Sequence, residues 1–354
     1  MLQHPSAEWL KLVSFGFMAV VALLLTSCGK PQVYRQQAYV FGTLVDITIA
    51  GESENKARQV TDHILAEFDR LNHELHAWQP GDLDRLNVQL AHAPVSGTVS
   101  PELASILRDA SRYAAQGDNL FNPAIGNLIR LWGFQADTFT PHMPDKSDIA
   151  RLVKADPRMS DIVFDGNRFH CNNPAVRIDL GGYAKGYALD VAADYLRSQG
   201  VKNALINIGG NIIALGQHDD RPWKVGIQDP RKPGAMATLN LHDGEAIGTS
   251  GDYQRYFVLN GVRYCHLIDP RTGWPVQDTQ AVTILTHGPQ AGTRSDAPSK
   301  PIFVGGAAHW REMAAKMGIA DVLRIDASGK IEVTKPMAAR LEWLDKTVQA
   351  TVVP

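Results

Sequence analysis

The sequence predicts an α+β fold: mixed, largely antiparallel sheets with packed helices, in one compact mature unit whose two lobes surround a cleft. Three observations lead there. Asp-Gly and Asn-Gly pairs sit between short apolar runs, which marks tight hairpins. Helical periodicity recurs in separate segments among those hairpins, and such mixing of hairpins and packed helices is the α+β pattern. No proline-, glycine- or serine-rich linker divides the 354 residues, and no internal repeat is present.

Taken in order, residues 53–76 place Val60, Ile64, Phe68, Leu71 and Leu75 on one helical face. A second helix begins at SPELASIL, with Ser100 as N-cap and Pro101 in the first helical position. The stretch FNPAIGNLIRLWGF (121–134) is aromatic-rich and interrupted by glycine. IVFDGNRFHC reads as a hairpin around Asp165-Gly166, VRIDL as a buried strand, and AKGYALDVAADYLRSQG as a helix ended by Gly200. Strands follow at NALINIGGNIIALG, WKVGIQ and ATLNL, then the hairpin YFVLNGVRYCHLI turning at Asn260-Gly261. The strand AVTILT, a helix near 303–317 and the hairpin VLRIDASGKIEV close the chain.

The first residues are of another kind. LVSFGFMAVVALLLTSC (12–28) is an uncharged apolar run ending in small residues, too short for a comfortable membrane span and suited to export. Leu25-Thr26-Ser27-Cys28 resembles a bacterial lipobox, which makes 1–27 a lipoprotein signal peptide, Cys28 the lipidated residue and 28–354 the mature domain. The competing reading is an uncleaved anchor helix with an incidental cysteine. Either one puts the domain outside the cytoplasm, on the periplasmic face of a bacterial membrane. Cys171 and Cys265 remain; two cysteines make neither a disulfide framework nor a zinc ligand set, and both are expected as buried thiols. A net charge of −2 excludes a strongly basic nucleic-acid surface.

Four segments could carry chemistry. In VRIDLGGYAKGYALD (176–190) a strand ends in Asp179, two glycines turn the chain and a helix begins with Lys185 in its first turn. Backbone N–H groups at such a start suit a phosphate, and the lysine adds charge; the plainer alternative is a tight turn with a solvated lysine. It is no Rossmann fingerprint, because the third glycine is missing. In LINIGGNIIALG (205–216) glycines inside a strand pattern indicate a bulge or the close approach of a ligand. His266, in CHLIDPRTGWP (265–275), shares a strand face with Val262, Tyr264 and Ile268, so a hydrogen-bonded core histidine competes with a functional one. Finally RSDAPSKPIFVGG (294–306) brings Asp296, Ser299 and Lys300 within five positions.

In this order, FGTLVDITI, NLIRLWGF, IDLGGYAKGYALD, LINIGGNIIALG, IGTSGDYQRYF, CHLIDPRTGWPV and SDAPSKPIFVGG resemble the FAD:protein FMN transferase family, the ApbE-like flavin transferases. The likeness runs from about residue 41 to 306, nearly all of the mature chain. It implies an ApbE-like domain around an FAD cleft, cleavage of the FAD pyrophosphate, attachment of FMN through its phosphate to a threonine of a target protein, and release of AMP. It also implies Mg²⁺ held by oxygen ligands, and a membrane redox subunit as target. By position, Asp179 and Lys185 contact FAD, Phe41 and Trp78 lie along the flavin or adenine, and Leu120, Phe121, Asn122 and Ile268 line the same ligand. His266 matches the histidine that helps deprotonate the acceptor. The Gly182 carbonyl, Asp296 and Ser299 match metal-ligand positions.

The sequence departs from that pattern at three places. Lys300 replaces a metal-binding threonine, Asn122 a common aspartate and Asn211 a common acid. A protonated lysine has no lone pair for Mg²⁺. Three arrangements follow: Lys300 contacts the pyrophosphate in the metal's stead, or turns aside to pair with Asp296, or marks a site that only binds flavin. Acid loss and lysine gain shift the charge the same way, which leads us to expect a metal-poor cleft. A tethered FAD carrier and an FAD pyrophosphatase are the rival functions.

Overall fold

The computed structural model describes residues 33–136 and 138–354; the apolar run 12–28, the boundary at 27/28 and Cys28 lie outside them. A nine-stranded sheet forms the centre. Its strands lie in the order Val33–Val40, Thr43–Ala50, Asn203–Ile208, Asn211–Leu215, Glu245–Gly251, Thr279–His287, Asp321–Asp326, Ile331–Thr334 and Ala350–Val353. Neighbours run antiparallel except the last pair, Ile331–Thr334 with Ala350–Val353. The α+β fold with largely antiparallel sheets is therefore the observed one.

Both faces of the sheet are covered. On one side, Val45, Ile47, Ile49, Ile206, Val282 and Ile284 share a core with Val60, Ile64 and Phe68 of the helix Glu54–Glu74 and Leu189 of the helix Ala184–Ser198. On the other, Ala281, Leu285, Leu323 and Ile325 pack with Trp223, Val225, Leu239 and Leu241 of a small sheet built on Trp223–Gln228 and Ala235–Leu241. Burial on both sides explains why AVTIL is apolar without alternation. A third core gathers Leu128, Trp132, Phe134, Phe257 and Ile268, with Trp132 stacked on Tyr264 at 5.5 Å and its indole N–H bonded to the Gly273 carbonyl at 2.8 Å. This aromatic lobe is the part of the molecule that faces the sheet ends across the cleft described below.

The helix at 54–74 starts where Ser53 accepts the Lys56 N–H, and the helix Pro101–Gln116 starts at the cap the sequence predicts, Ser100, which accepts the Leu103 N–H. The hairpins at 162–171 and 256–265 are also present, and Cys171 and Cys265 are buried free thiols.

Two expectations are corrected. VRIDL is not a strand of any ladder. Arg177 makes a single parallel bridge to Ile125, while the Asn87 side chain clamps Ile178, accepting its N–H (2.6 Å) and donating to its carbonyl (2.8 Å). Main-chain bonds from Arg177 and Asp179 to Ala124 and Pro123 (3.2 and 2.8 Å), and from Gly126 to Arg177 (2.8 Å), satisfy one edge of the segment, and the Asn87 side chain the other. Gly209-Gly210 is not a bulge but the two-residue turn of the hairpin joining Asn203–Ile208 to Asn211–Leu215, with φ of 57° and 94°. The last long helix also begins earlier than expected, at Ser299, and kinks at Gly306 (φ 59°, ψ −165°) before ending at Lys316. The opening hairpin lacks an Asn-Gly or Asp-Gly turn and bends instead at Phe41-Gly42, where φ is 56° and 67°.

Candidate active site

At one end of the sheet lies a cavity of about 390 Å³, a size usual for small-molecule sites. Phe41, Trp78, Leu120, Phe121, Asn122, Asp179, Gly182, Lys185, His266, Ile268, Asp296 and Lys300 all line it. These residues come from six separate stretches of chain. Of the described residues named from the sequence as site residues, Ser299 alone does not reach the wall. It is buried beneath, its hydroxyl bonded to the Asp296 carbonyl (2.6 Å) and the Ser250 hydroxyl (2.7 Å).

One wall is built by the segment 177–186. The Asp179 carboxylate accepts the Gly181 N–H at 2.8 Å and the Trp78 indole N–H at 2.9 Å, which locks the indole in place. The Arg177 guanidinium lies 4.4 Å from the Trp78 ring and donates to the Ala77 carbonyl at 2.9 Å. Phe41 lines the cavity from a left-handed backbone position that a bulky residue adopts only at some cost, its ring 5.9 Å from Phe68.

The start of the helix Ala184–Ser198 is less open to a phosphate than its sequence suggests. The Tyr183 and Ala184 N–H groups bond to the Leu180 carbonyl, and the Gly186 N–H goes to Asp296 Oδ2 at 3.0 Å. Gly186 can carry no side chain there: a Cβ would lie 2.5 Å from the Gly292 carbonyl oxygen and 2.7 Å from Asp296 Cβ.

Asp296 is fully buried, and Lys300 closes on it. The ammonium bonds to Oδ1 and, at 2.9 Å, to the Asp296 main-chain oxygen. Burial pushes the Asp296 carboxyl up, but Lys300, Lys185 and the Gly186 N–H outweigh it and hold the group below the ordinary carboxylate range. Burial also lowers the Lys300 ammonium, which Asp296 resists and Lys185 reinforces. The Lys300 stem runs past Gly182, where a Cβ would sit 3.1 Å from its Cε. Lys300 pairs with Asp296, the second of the three arrangements, and it lines the cavity as well.

Magnesium requires near-octahedral oxygen coordination. These residues do not fit it. Asp296 Oδ1 and its main-chain oxygen accept from Lys300, Oδ2 accepts from Gly186, and the Ser299 hydroxyl is committed to its own two partners. Among the described residues no group of three His, Cys, Asp or Glu side chains is arranged to hold a metal ion. Asn122 adds no charge and is engaged elsewhere: its amide donates to the Pro157 carbonyl (2.8 Å) and its oxygen accepts the Ala124 N–H (3.0 Å). Asn211 is buried off the cavity wall.

His266 sits across the cleft. Its Nδ1 lies 3.2 Å from the Arg255 carbonyl, which can only accept, so Nδ1 carries the proton and Nε2 keeps its lone pair. Burial, with Arg255 and Lys185 close by, pushes the imidazole down to about 3, so it is neutral at any physiological pH. Arg255 is the functional-site residue that motif reading passed over, although its segment TSGDYQRYF was singled out. It lines the cavity, its carbonyl also accepts the His266 N–H at 3.0 Å, and its guanidinium donates to the carbonyls of Phe134 (3.0 Å) and Ala136 (3.2 Å).

Comparison with known proteins matches residues 41–323 to the ApbE family. A protein of Rhodobacter capsulatus described as FAD:protein FMN transferase is 40% identical over 307 residues, which are 87% of this chain and 58% of that protein. This chain therefore spans less than two thirds of that relative's length. A Vibrio cholerae protein of the same description is 31% identical over 275 residues, covering 74% of this chain and 80% of that one. Among solved structures, the ApbE protein of Thermotoga maritima superposes with a TM-score of 0.79 at 31% identity, over 87% of this chain and 99% of that one.

Proposed function

This chain belongs to the ApbE family, and from that premise we propose that it is an FAD:protein FMN transferase acting through the cavity beside Asp296 and Lys300. The reaction joins the hydroxyl oxygen of an acceptor threonine to the phosphorus of the FMN half of FAD. The bridging P–O bond breaks, and its electron pair leaves with AMP. Negative charge on the phosphoryl oxygens needs fixed cations, and the hydroxyl needs a base.

Lys185 and Lys300 supply the charge, and the neutral His266 supplies the base, taking the threonine proton on Nε2 while the Arg255 carbonyl holds the ring by Nδ1. A pKa near 3 makes a weak base in the empty cavity. The anion's own charge offsets the nearby cations and raises the imidazole's affinity for a proton once FAD is bound. Trp78, fixed by Asp179, and Phe41 give flat surfaces for the flavin or adenine. No step is assigned to a metal.

One observation carries this reading: Asp179, Lys185, His266 and Asp296, far apart in the chain, converge on a single cavity inside the family match. The target is a protein with an accessible threonine, in our reading a membrane redox subunit. The apolar run ending at Cys28 supports a signal peptide of 1–27 and a lipid-tethered, extracytoplasmic location for residues 28–354. Mass spectrometry of a threonine-containing acceptor incubated with protein and FAD tests the activity. A gain of one FMN with release of AMP supports it; AMP without modification makes the protein a pyrophosphatase, and neither makes it a carrier.

A further inference from the structure

We propose that the Lys300 ammonium is a built-in cation that does the work of a divalent metal in gripping the FAD diphosphate, so that this protein binds FAD without magnesium. The inference rests on the FAD reading above and concerns how the same site meets its charge requirement.

Four features support it. First, the ammonium is seated on two oxygens of Asp296, one from the side chain and one from the main chain, the kind of oxygens a hard cation would use. The second carboxylate oxygen is held by the Gly186 N–H, so Asp296 cannot swing toward another cation without orphaning a buried helix-start donor. Second, the two bonds to Asp296 use two of the three donors of the ammonium, leaving one for a ligand oxygen at the cavity wall. Third, the stem passes close over Gly182, where a Cβ would come 3.1 Å from Lys300 Cε and 3.4 Å from the Phe121 ring and would crowd it. Fourth, Lys185, Arg255 and Lys300 against Asp179 and Asp296 leave one net positive charge on the wall, and Asn122 adds no carboxylate to cancel it. Two fixed ammonium groups then face a diphosphate with no metal to dehydrate or recruit. Lysine serves such a role as a point charge rather than a bidentate clamp.

The test is FAD binding by flavin fluorescence, on the purified protein in EDTA and in excess Mg²⁺. The wild type is expected to bind with the same affinity in both. Lys300→Met, which keeps the stem and removes the charge, should lose at least about tenfold in EDTA, the scale of one charge-assisted hydrogen bond. Lys300→Thr should lose as much in EDTA and regain affinity with Mg²⁺, because a hydroxyl can join an oxygen ligand set. Wild-type binding that requires Mg²⁺ overturns the inference and leaves the FAD reading intact. So does undiminished binding by both variants in EDTA. Absence of FAD binding under either condition sinks both. The wild-type comparison stands even if a variant fails to fold.

Discussion

The Lys300–Asp296 pair sets a stability experiment separate from ligand binding. Asp296 is wholly buried and the Lys300 side chain is 14% exposed. Asp296→Asn keeps the shape but leaves the ammonium with the main-chain oxygen at 2.9 Å as its remaining strong acceptor. Breaking one partner of a buried pair costs about 3–5 kcal/mol, because the surviving charge is uncompensated. Lys300→Met leaves the carboxylate with the Gly186 N–H and the field of Lys185, so its cost falls at the low end of that range, about 3 kcal/mol. The double variant carries no orphaned charge and should lose only about 1–3 kcal/mol, the cost of a buried neutral amide left short of a partner. The singles together would then exceed the double by about 3–7 kcal/mol, well above the ~0.5 kcal/mol scatter of independent sites. Urea unfolding of the four proteins at pH 7 measures it. Additive losses would refute the picture of a dry, coupled pair. The acid side gives a consistent sign: with its folded pKa depressed, Asp296 contributes stability above the ordinary carboxylate pKa of 3.8, and that contribution is lost as pH falls through the lower folded value.

Three further outcomes are expected. Between pH 6.5 and about 3 the unfolded chain protonates His266 and the folded one does not, so stability should fall as the pH drops through that window; His266→Gln should flatten the slope between pH 7 and 4.5, and an unchanged slope of urea midpoints would contradict it. Asn122→Asp should destabilise by about 1–3 kcal/mol, because a carboxylate cannot donate to the Pro157 carbonyl and leaves it facing negative charge; thermal unfolding checks this. Cys28→Ser should move the protein from the membrane fraction into the soluble or unprocessed pool, read by fractionation and the mass of the N-terminal peptide.

Local signals were read correctly where the chain answers to its neighbours. Helical period defines 54–74, the Ser100 cap opens 101–116, and Asn260-Gly261 defines its hairpin, because all three depend on dihedral preference and one-sided burial over a few residues. Glycine pairs were harder. Gly209-Gly210 satisfies either a bulge or a hairpin turn, and the choice lies in how the two flanking strands pair, not in the glycines. VRIDL has the composition of a buried strand, yet its backbone is shared between the irregular stretch 123–126 and the side chain of Asn87, 91 residues from Ile178. Nothing in its own residues signals that.

For the site, sequence alone determined the identity of the groups: a lysine four residues after an aspartate, a histidine flanked by apolar residues, an aspartate before a double glycine. Those are matters of residue type and order. Tertiary structure decided what each group can do. Asp296 touches Lys300 one helical turn on, a contact its spacing permits, but its other oxygen is committed to Gly186, 110 residues earlier. His266 is neutral because folding buries it beside Arg255 and Lys185, and its tautomer is set by one carbonyl across a turn. Charge state and hydrogen-bond commitment depend on which groups share a dry volume, and only the folded chain fixes that volume.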